Sequence, residues 1–288
     1  MLRAGAQSPS SGVPKRMTRR RLAVAGIALV AGIGVAATAF AARYPTPRIN
    51  GFPGGPYFVV SCSSTHRNND DPIVFFNQPG KSHNHTFVGN RSTDADSTPA
   101  SLKANPANAR CGPRTDLSAY WFPTLYERGV PVRPLVSIIY YVRRTSDTVR
   151  SFPPGLKMIA GDAFAKKAQL KSISSWSCGP PDVTRTYTTV PGCSENDLLH
   201  MNVNFPDCWD GRRLDSADHK SHMAYSTNGN CPSTHKVAVP FMRMLILYPS
   251  VAKGSTVSSG KFSEHGDFIN AWDQDALDEL VSRMNAGH

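Results

Sequence analysis

Residues 199–205 read Leu-His-Met-Asn-Val-Asn-Phe, a stretch in which apolar and polar side chains alternate strictly. Successive side chains of a β-strand point to opposite faces of its sheet, so this alternation predicts a strand. The apolar side chains are expected to face a core. The polar ones, His200, Asn202 and Asn204, are expected to face outward, where they either line a cleft or are solvated.

Short apolar runs of the same extended kind recur along the chain, each bounded by Gly, Pro or Asn. They cover residues 57–60, 73–76, 86–88, 135–142, 156–160 and 237–248. This pattern predicts a mainly β fold, a single-domain sandwich or jelly roll with long loops. Residues 90–110 lack apolar runs and are expected to form a long surface loop.

The C-terminal segment is the one stretch with a clear helical pattern. Asp273 can cap a helix in which apolar residues recur at helical spacing, with Gly287 near its end. These apolar residues are Leu277, Leu280, Val281 and Met284. We therefore expect a short helix that packs on the sheet and carries no chemistry.

The N-terminus has the charge and hydropathy pattern of an export signal. Five basic residues between Lys15 and Arg21 precede an uncharged stretch from Leu22 to Ala42. Small residues near position 39 offer cleavage sites, although the stretch is also long enough to stay in the bilayer as an anchor. We therefore divide the chain into a signal peptide or N-terminal anchor (1–42), a Pro- and Gly-rich linker (43–56) and a folded domain (57–288).

All six cysteines follow the signal, and an even number of cysteines in an oxidising compartment favours three disulfides. Short loops close most easily, so we expect the sequential pairing. It joins Cys62 to Cys111, Cys178 to Cys193, and Cys208 to Cys231. A thiolate zinc site is the rival interpretation, but no CxxC pair occurs. The protein is expected to be secreted or at the cell surface, touching the membrane only through an uncleaved N-terminal segment.

Net charge and missing motifs exclude several function classes. Six of the basic residues precede Ala42 with no acidic residue among them, so the rest of the chain carries +5 of the formal +11. Such a charge suits an acidic polymer but is ordinary, and basic residues are not interleaved with aromatic ones, so no nucleic-acid partner is expected. The chain has no GxSxG elbow, phosphate-binding glycine loop or dinucleotide fingerprint.

Three segments concentrate histidine, and the second and third also carry carboxylates: SHNHTF (82–87), DSADHKSHMAY (215–225) and HGDF (265–268). On a strand, His83 and His85 share a face, as do His265 and Asp267, so each pair can hold one ion or one polar substrate. His219 and His222 would share a face of one helical turn. Neutral imidazole and carboxylate bind first-row metals, so a divalent metal on His83, His85, His219, His222 and His265 is one hypothesis.

Two metal-free hypotheses stay open beside it. In the first, His83 or His219 works with Tyr225 as acid and base while Lys220 or Arg212 neutralises a sugar carboxylate, the chemistry of elimination. In the second, Asp218 and Asp267 hydrolyse a glycosidic bond as a carboxylate pair. Tyr120 and Trp121 are candidates for stacking on a sugar ring, and a structural role is the alternative for them.

Several of these segments together resemble the DUF1996 family, a domain of unknown function found in secreted fungal proteins and in bacteria. The resemblance covers roughly residues 70–273. It rests on DPIV (71–74), PGKSHNH (79–85), YWFP (120–123), FPPGLKMIAGD (152–162), FPDCWDG (205–211), LDSADHKSHMAY (214–225), CPSTH (231–235) and HGDFINAWD (265–273).

The resemblance implies a polysaccharide context, because fungal relatives are often joined to modules that bind cell-wall sugars, but it carries no agreed activity. Lys157 stands where the family usually has arginine and Ala271 where it has glycine, which puts a bidentate contact at 157 in doubt. We expect a polysaccharide hydrolase or lyase whose three histidine segments meet at one end of the sheets. Lys157 and Lys220 would bind substrate there. The alternative is a non-catalytic wall-carbohydrate-binding or metal-binding module.

Overall fold

The computed structural model of this chain describes residues 56–179 and 185–287. The predicted signal or anchor (1–42) and all but the last residue of the predicted linker lie outside these ranges. Among the residues that are described, no helix combines the length and the apolar character needed to span a membrane.

Strands make up most of the regular structure in the described ranges. They are β1 Tyr57–Cys62, β2 Ser64–Asn68, β3 His85–Gly89, β4 Cys111–Gly112, β5 Ala119–Pro123, β6 Leu125–Glu127, β7 Val130–Pro131, β8 Val136–Val142, β9 Lys157–Gly161, β10 Ser174–Cys178, β11 Leu199–Asn204, β12 Cys208–Trp209, β13 Met223–Ala224, β14 Val237–Ala238, β15 Phe241–Tyr248, β16 Thr256–Val257 and β17 His265–Ile269. The helices are α1 Pro99–Lys103 and α2 Gln274–Asn285. The predicted mainly β fold with a short C-terminal helix is confirmed.

Two antiparallel sheets enclose the main core. One has six strands in the order β10-β11-β15-β8-β1-β4, and the other has five in the order β2-β3-β5-β17-β9. Alternate side chains from both sheets meet in one apolar cluster, which includes Met201 and Met244 from the first sheet and Tyr120 and Phe268 from the second. Two small sheets, β13-β12-β14 and β16-β6-β7, flank this sandwich.

The face of the five-stranded sheet that points away from this core is also covered. Phe87, Trp121 and Ile269 on that face pack with Ile73 and Leu102 from the segment that follows β2 or β3. These residues alternate with the inward-facing ones, as the two-residue period of a strand requires. The same outer face carries the histidines described below.

Strand β11 places its side chains on the predicted sides. Met201 and Val203 lie in the core, while His200 and Asn204 lie on the opposite face. That face is not the exposed polar surface we expected, because His200 and Asn204 are only 1% and 4% accessible. Asn204 accepts a 2.7 Å hydrogen bond from the buried guanidinium of Arg243 on β15.

Two other local predictions were wrong. Residues 73–76 form turns rather than a strand, because Asp71 accepts hydrogen bonds from the backbone N–H groups of Ile73 and Val74 at 3.0 Å. The predicted loop at 90–110 contains helix α1, which Thr98 and Ser101 cap reciprocally. Leu102 anchors that helix in the outer-face cluster.

The disulfides and the C-terminal helix match their predictions. Cys62–Cys111, Cys178–Cys193 and Cys208–Cys231 are all bonded. Asp273 caps helix α2 by accepting from the N–H of Ala276 at 3.1 Å. Three disulfides indicate that the protein folds in an oxidising compartment.

Candidate functional site

Two of the three predicted histidine segments meet on the outer face of the five-stranded sheet. His85 begins β3 and pairs with Pro123 of β5, while Asp267 of β17 pairs with Trp121 of the same strand. Residues 121 and 123 share one face of β5, so His85 and Asp267 share that face too, and His265 joins them two residues earlier. His83 reaches the same point from the irregular segment before β3. We call His83, His85 and His265 the histidine triad.

The triad turns its Nε2 atoms toward one point. The Nε2 atom of His265 lies 3.3 Å from Nε2 of His83 and 3.3 Å from Nε2 of His85. His85 and His265 are buried, with 0% and 1% of their surface accessible, whereas His83 is half-buried. The triad is therefore closed on the sheet side and accessible from the side of His83.

Backbone carbonyls fix the tautomers of the two buried rings. The Nδ1 atom of His85 lies 2.8 Å from the carbonyl oxygen of Asp70, and Nδ1 of His265 lies 2.7 Å from that of Ser263. A carbonyl oxygen only accepts, so both Nδ1 atoms carry the hydrogen, and in the neutral rings Nε2 presents a lone pair. The two Nε2 atoms that face each other therefore have no hydrogen to share.

Burial keeps these rings neutral. It lowers the pKa of His83 to about 4 and that of His265 to about 3, and the neighbouring His83 lowers the pKa of His265 further. Burial likewise lowers the pKa of His85 well below its ordinary value. Neutral imidazole is the ligand form that transition metals bind, and His85 and His265 direct Nε2 lone pairs at each other.

A buried carboxylate stands beside the triad. Asp267 Oδ2 lies 3.7 Å from Nε2 of His265 and has no hydrogen-bond partner among the described residues. Burial raises the pKa of Asp267 well above its ordinary value, and the nearby carboxylate of Asp71 raises it further. A buried carboxylate without a partner is costly, and a cation at the triad would remove that cost.

The second histidine segment, which we call the 215–225 loop, does not join the triad. Both ring nitrogens of its His222 are occupied, one at 2.9 Å from Ser216 Oγ and the other at 2.7 Å from the carbonyl oxygen of Lys157. The Tyr225 hydroxyl donates to the carbonyl oxygen of Asn204 at 2.8 Å. Protein contacts thus occupy the atoms that the predicted metal-binding role of His222 and acid–base role of Tyr225 would use, and the structure does not bring these residues to the triad.

Asp218 is also engaged within its own loop. It is exposed and accepts hydrogen bonds from Ser216 Oγ at 2.7 Å and from the N–H of Ser221 at 2.9 Å, so it shapes a turn. These bonds lower the pKa of Asp218 below its ordinary range. Asp267, by contrast, is buried at the triad, so the hypothesis of an Asp218–Asp267 pair across a cleft gains no support.

The remaining predicted residues of the loop form a charged rim next to the triad. His219 Nδ1 lies 2.9 Å from Asp215, whose other oxygen pairs with Lys157 Nζ at 3.4 Å. The Lys220 ammonium donates to the carbonyl oxygen of Gly161 at 2.6 Å, on the strand paired with His265. The positive charge of Lys220 lowers the pKa of both His265 and Asp267, so it lies within electrostatic reach of the site.

Tyr120 and Trp121 are core residues. Both are fully buried, and the Tyr120 hydroxyl donates to Asp116 at 2.7 Å. Neither ring is accessible to a sugar, so burial supports the structural alternative for both residues. The sequence-based prediction also missed Asp71. It missed the backbone carbonyl groups of Asp70 and Ser263 as well, because every residue has a carbonyl group and the sequence does not show which ones contact a histidine.

Comparison with protein families matches residues 71–272 to DUF1996, a domain of unknown function. The match spans more than half of the chain and includes the whole triad, so the chain belongs to this family. Neither the curated proteins nor the solved structures include a significant match to it.

Proposed function

We propose that this DUF1996 protein binds a divalent transition-metal ion through His83, His85 and His265 and uses it to cleave an extracellular polysaccharide. One observation supports the proposed metal site most directly: the two 3.3 Å separations of Nε2 of His265 from Nε2 of His83 and of His85. Tetrahedral donors at the usual metal–nitrogen distance lie about 3.3–3.4 Å apart, which matches these separations. The hydrogens on Nδ1 of His85 and His265 leave lone pairs on the two Nε2 atoms that face each other, so a cation explains the approach of these two rings better than a hydrogen bond does.

The donor set indicates the class of metal. Imidazole nitrogens suit zinc, iron, copper and nickel, whereas magnesium and calcium prefer oxygen donors. Such an ion lowers the pKa of a bound water and so supplies a base or nucleophile near neutral pH. Lys220, held at the rim by the Gly161 carbonyl, would face the negative charge of a substrate.

Two features support an extracellular polymer as the substrate. The disulfides place folding in an oxidising compartment, which fits a secreted or cell-surface protein. His83 is half-buried, so a bulky molecule can approach the ligand set from its side without unfolding the sheet. Hydrolysis and elimination both need a base at this position, and the products distinguish them.

The position of Asp267 favours a second candidate, a non-catalytic metal-binding module. Its Oδ2 atom lies close enough to the triad to complete a four-ligand set after a small side-chain movement. A closed four-ligand site is typical of structural metal ions, whereas three protein ligands with an open position are typical of catalysis. Turnover therefore separates the two candidates.

Elemental analysis of the purified mature protein tests the metal. We expect about one zinc ion per chain after dialysis against zinc and removal of the excess, and almost none in the His265→Ala variant. His235→Ala is the matched control, since His235 lies away from the triad and contacts Thr234 and Ser221. Equal metal content in the two variants would contradict the proposed site.

Activity assays follow on the metal-loaded and chelated protein. Polysaccharides of different charge would be incubated with both forms, and new reducing ends and unsaturated sugar ends would be measured. New reducing ends alone indicate hydrolysis, and unsaturated ends indicate elimination. A metal-loaded protein that produces neither from any polymer would favour the non-catalytic module.

A further inference from the structure

An open cleft of about 630 Å³ adjoins the triad on the side of His83. His83 and Asn84 form one edge, and the small sheet β16-β6-β7 with the turn before β16 forms the rest. The volume lies in the range of small-molecule sites in proteins. His83 is both a triad member and part of the wall, so a molecule in the cleft lies next to the ligand set.

The lining of this cleft suits a sugar. Tyr126 and Thr256 are directly paired across β6 and β16, which places an aromatic side chain and a hydroxyl group on one wall. The other hydroxyl groups come from Ser255 and Ser258. An aromatic ring surrounded by hydroxyl and amide groups matches the apolar faces and polar edges of a pyranose.

Among the described residues that line the cleft, Arg128 is the one permanent cation and none is a carboxylate. Arg128 lies at its margin, and within the described ranges its guanidinium makes no ion pair or hydrogen bond. The neighbouring carboxylate of Glu127 accepts from the backbone N–H of Ala252 instead. Arg128 can therefore take a negatively charged group without giving up a partner in the protein.

The backbone conformation at Arg128 also favours a ligand-binding role for this residue. Arg128 and Gly129 form the two-residue turn between β6 and β7, with φ of 50° and 80°. Asn or Asp is strongly preferred before Gly in such a turn, because a residue with a larger side chain is less stable at positive φ. An arginine at this position, on the edge of a cleft, is better explained by a ligand than by the turn.

We propose that this cleft binds an anionic sugar unit of the polysaccharide, with Arg128 pairing with its carboxylate or sulfate group and Tyr126 packing against its ring. This inference rests on the proposed function, because it assigns the substrate class of the same site. A sugar bound in this way would present its neighbouring glycosidic bond toward His83. Arginine pairs well with planar carboxylates and with sulfates through two parallel hydrogen bonds.

Calorimetric titration of the full mature protein tests the proposal with three matched probes. They are tetrasaccharides of galacturonic acid, of sulfated galactose and of neutral galactose. Arg128→Asn is the test variant, because Asn before Gly suits the turn and should leave the hairpin intact. Arg150→Asn is the control, since Arg150 is exposed and does not line the cleft. Metal content is measured on every sample.

We expect the wild type to bind at least one anionic probe about ten-fold more tightly than the neutral one. Arg128→Asn should remove this preference, Arg150→Asn should keep it, and Tyr126→Ala should weaken all three probes. The stronger of the two anionic probes identifies the charged group. Equal affinity for all probes, no binding of any probe, or equal losses in the two arginine variants would overturn the proposal.

The metal readout keeps the two proposals separate. Zinc bound to the triad together with no preference for anionic probes would overturn the cleft proposal and leave the metal site standing. If the preference for anionic probes depends on Arg128 but the His265→Ala variant keeps its metal, the metal-site proposal is overturned and the cleft proposal stands.

Discussion

The histidine triad has three imidazole rings and the 215–225 loop has two, and the two groups of rings have different surroundings. In the triad, carbonyl oxygens take the Nδ1 hydrogens of His85 and His265 and leave the Nε2 lone pairs directed at each other. In the loop, protein groups contact both nitrogens of His222. The comparison teaches that a histidine is a candidate ligand only where one ring nitrogen is left without a protein partner.

The largest effect that sharpens this comparison is on stability. His222→Ala should lower the free energy of unfolding by about 3 kcal/mol, because it removes a buried ring and leaves the Lys157 carbonyl and the Ser216 hydroxyl without a partner. Chemical denaturation measures the change. Zinc content should stay the same, and loss of zinc in a variant that still folds would show that the loop belongs to the metal site.

Asp267→Asn should affect metal affinity rather than stability. We expect zinc affinity to fall about ten-fold, as for other groups that support a metal site, while the metal-free variant is at least as stable as the wild type. The reason is that Asp267 Oδ2 has no hydrogen-bond partner among the described residues. Competition with a chelator measures affinity, and Asp218→Asn in the loop is the control. Unchanged affinity would remove Asp267 from the ligand set.

The pH dependence of stability gives a smaller test of the loop. Burial lowers the pKa of His222 below 6.5, although the hydrogen bond to the Lys157 carbonyl and the charges of Asp215 and Asp210 oppose this shift. As the pH falls, the unfolded state therefore takes up the proton before the folded state does. The stability that neutral His222 contributes above pH 6.5 decreases as the pH falls below 6.5. In chelated protein, denaturation at several pH values should show a shallower loss below pH 6.5 for His222→Ala than for the wild type. Parallel curves would show that His222 does not contribute.

The smallest effect is expected at His219. His219→Asn should change the free energy of unfolding by no more than about 0.5 kcal/mol, because the pair with Asp215 is partly exposed. The backbone at this position has φ of 57°, which Asn tolerates well. Zinc content should equal that of the wild type. A metal loss comparable to that of His265→Ala would break the distinction between the triad and the loop.

The predictions from sequence succeeded where the signal is local. The alternation at 199–205 and the spacing of apolar residues after Asp273 identified β11 and helix α2, because side-chain direction repeats with a fixed period along one element. The sequential disulfides followed from short loop closures. The turn at residues 73–76 was misread as a strand because the deciding interaction is a side-chain bond from Asp71.

The site was predicted only in part for the same reason. His83 and His85 lie far along the chain from His265, and their meeting depends on the order β3-β5-β17 in the sheet. Tyr120 and Trp121 look like sugar platforms in sequence, but both sides of this sheet are covered and the rings are fully buried. Arg128 and Tyr126 were not singled out, since a lone arginine before glycine gains meaning only beside a cleft.

The sequence by itself determined a mainly β chain with three disulfides, a capped terminal helix and the residues of a histidine-rich site. Strand period, helix spacing and family motifs depend on residues that are close together in the chain, so the sequence shows them directly. Only the tertiary structure decided which histidines are candidate ligands. That choice depends on which ring nitrogens receive a protein partner. The partners are backbone carbonyls and distant side chains, whose positions are set by sheet order and packing rather than by neighbouring residues.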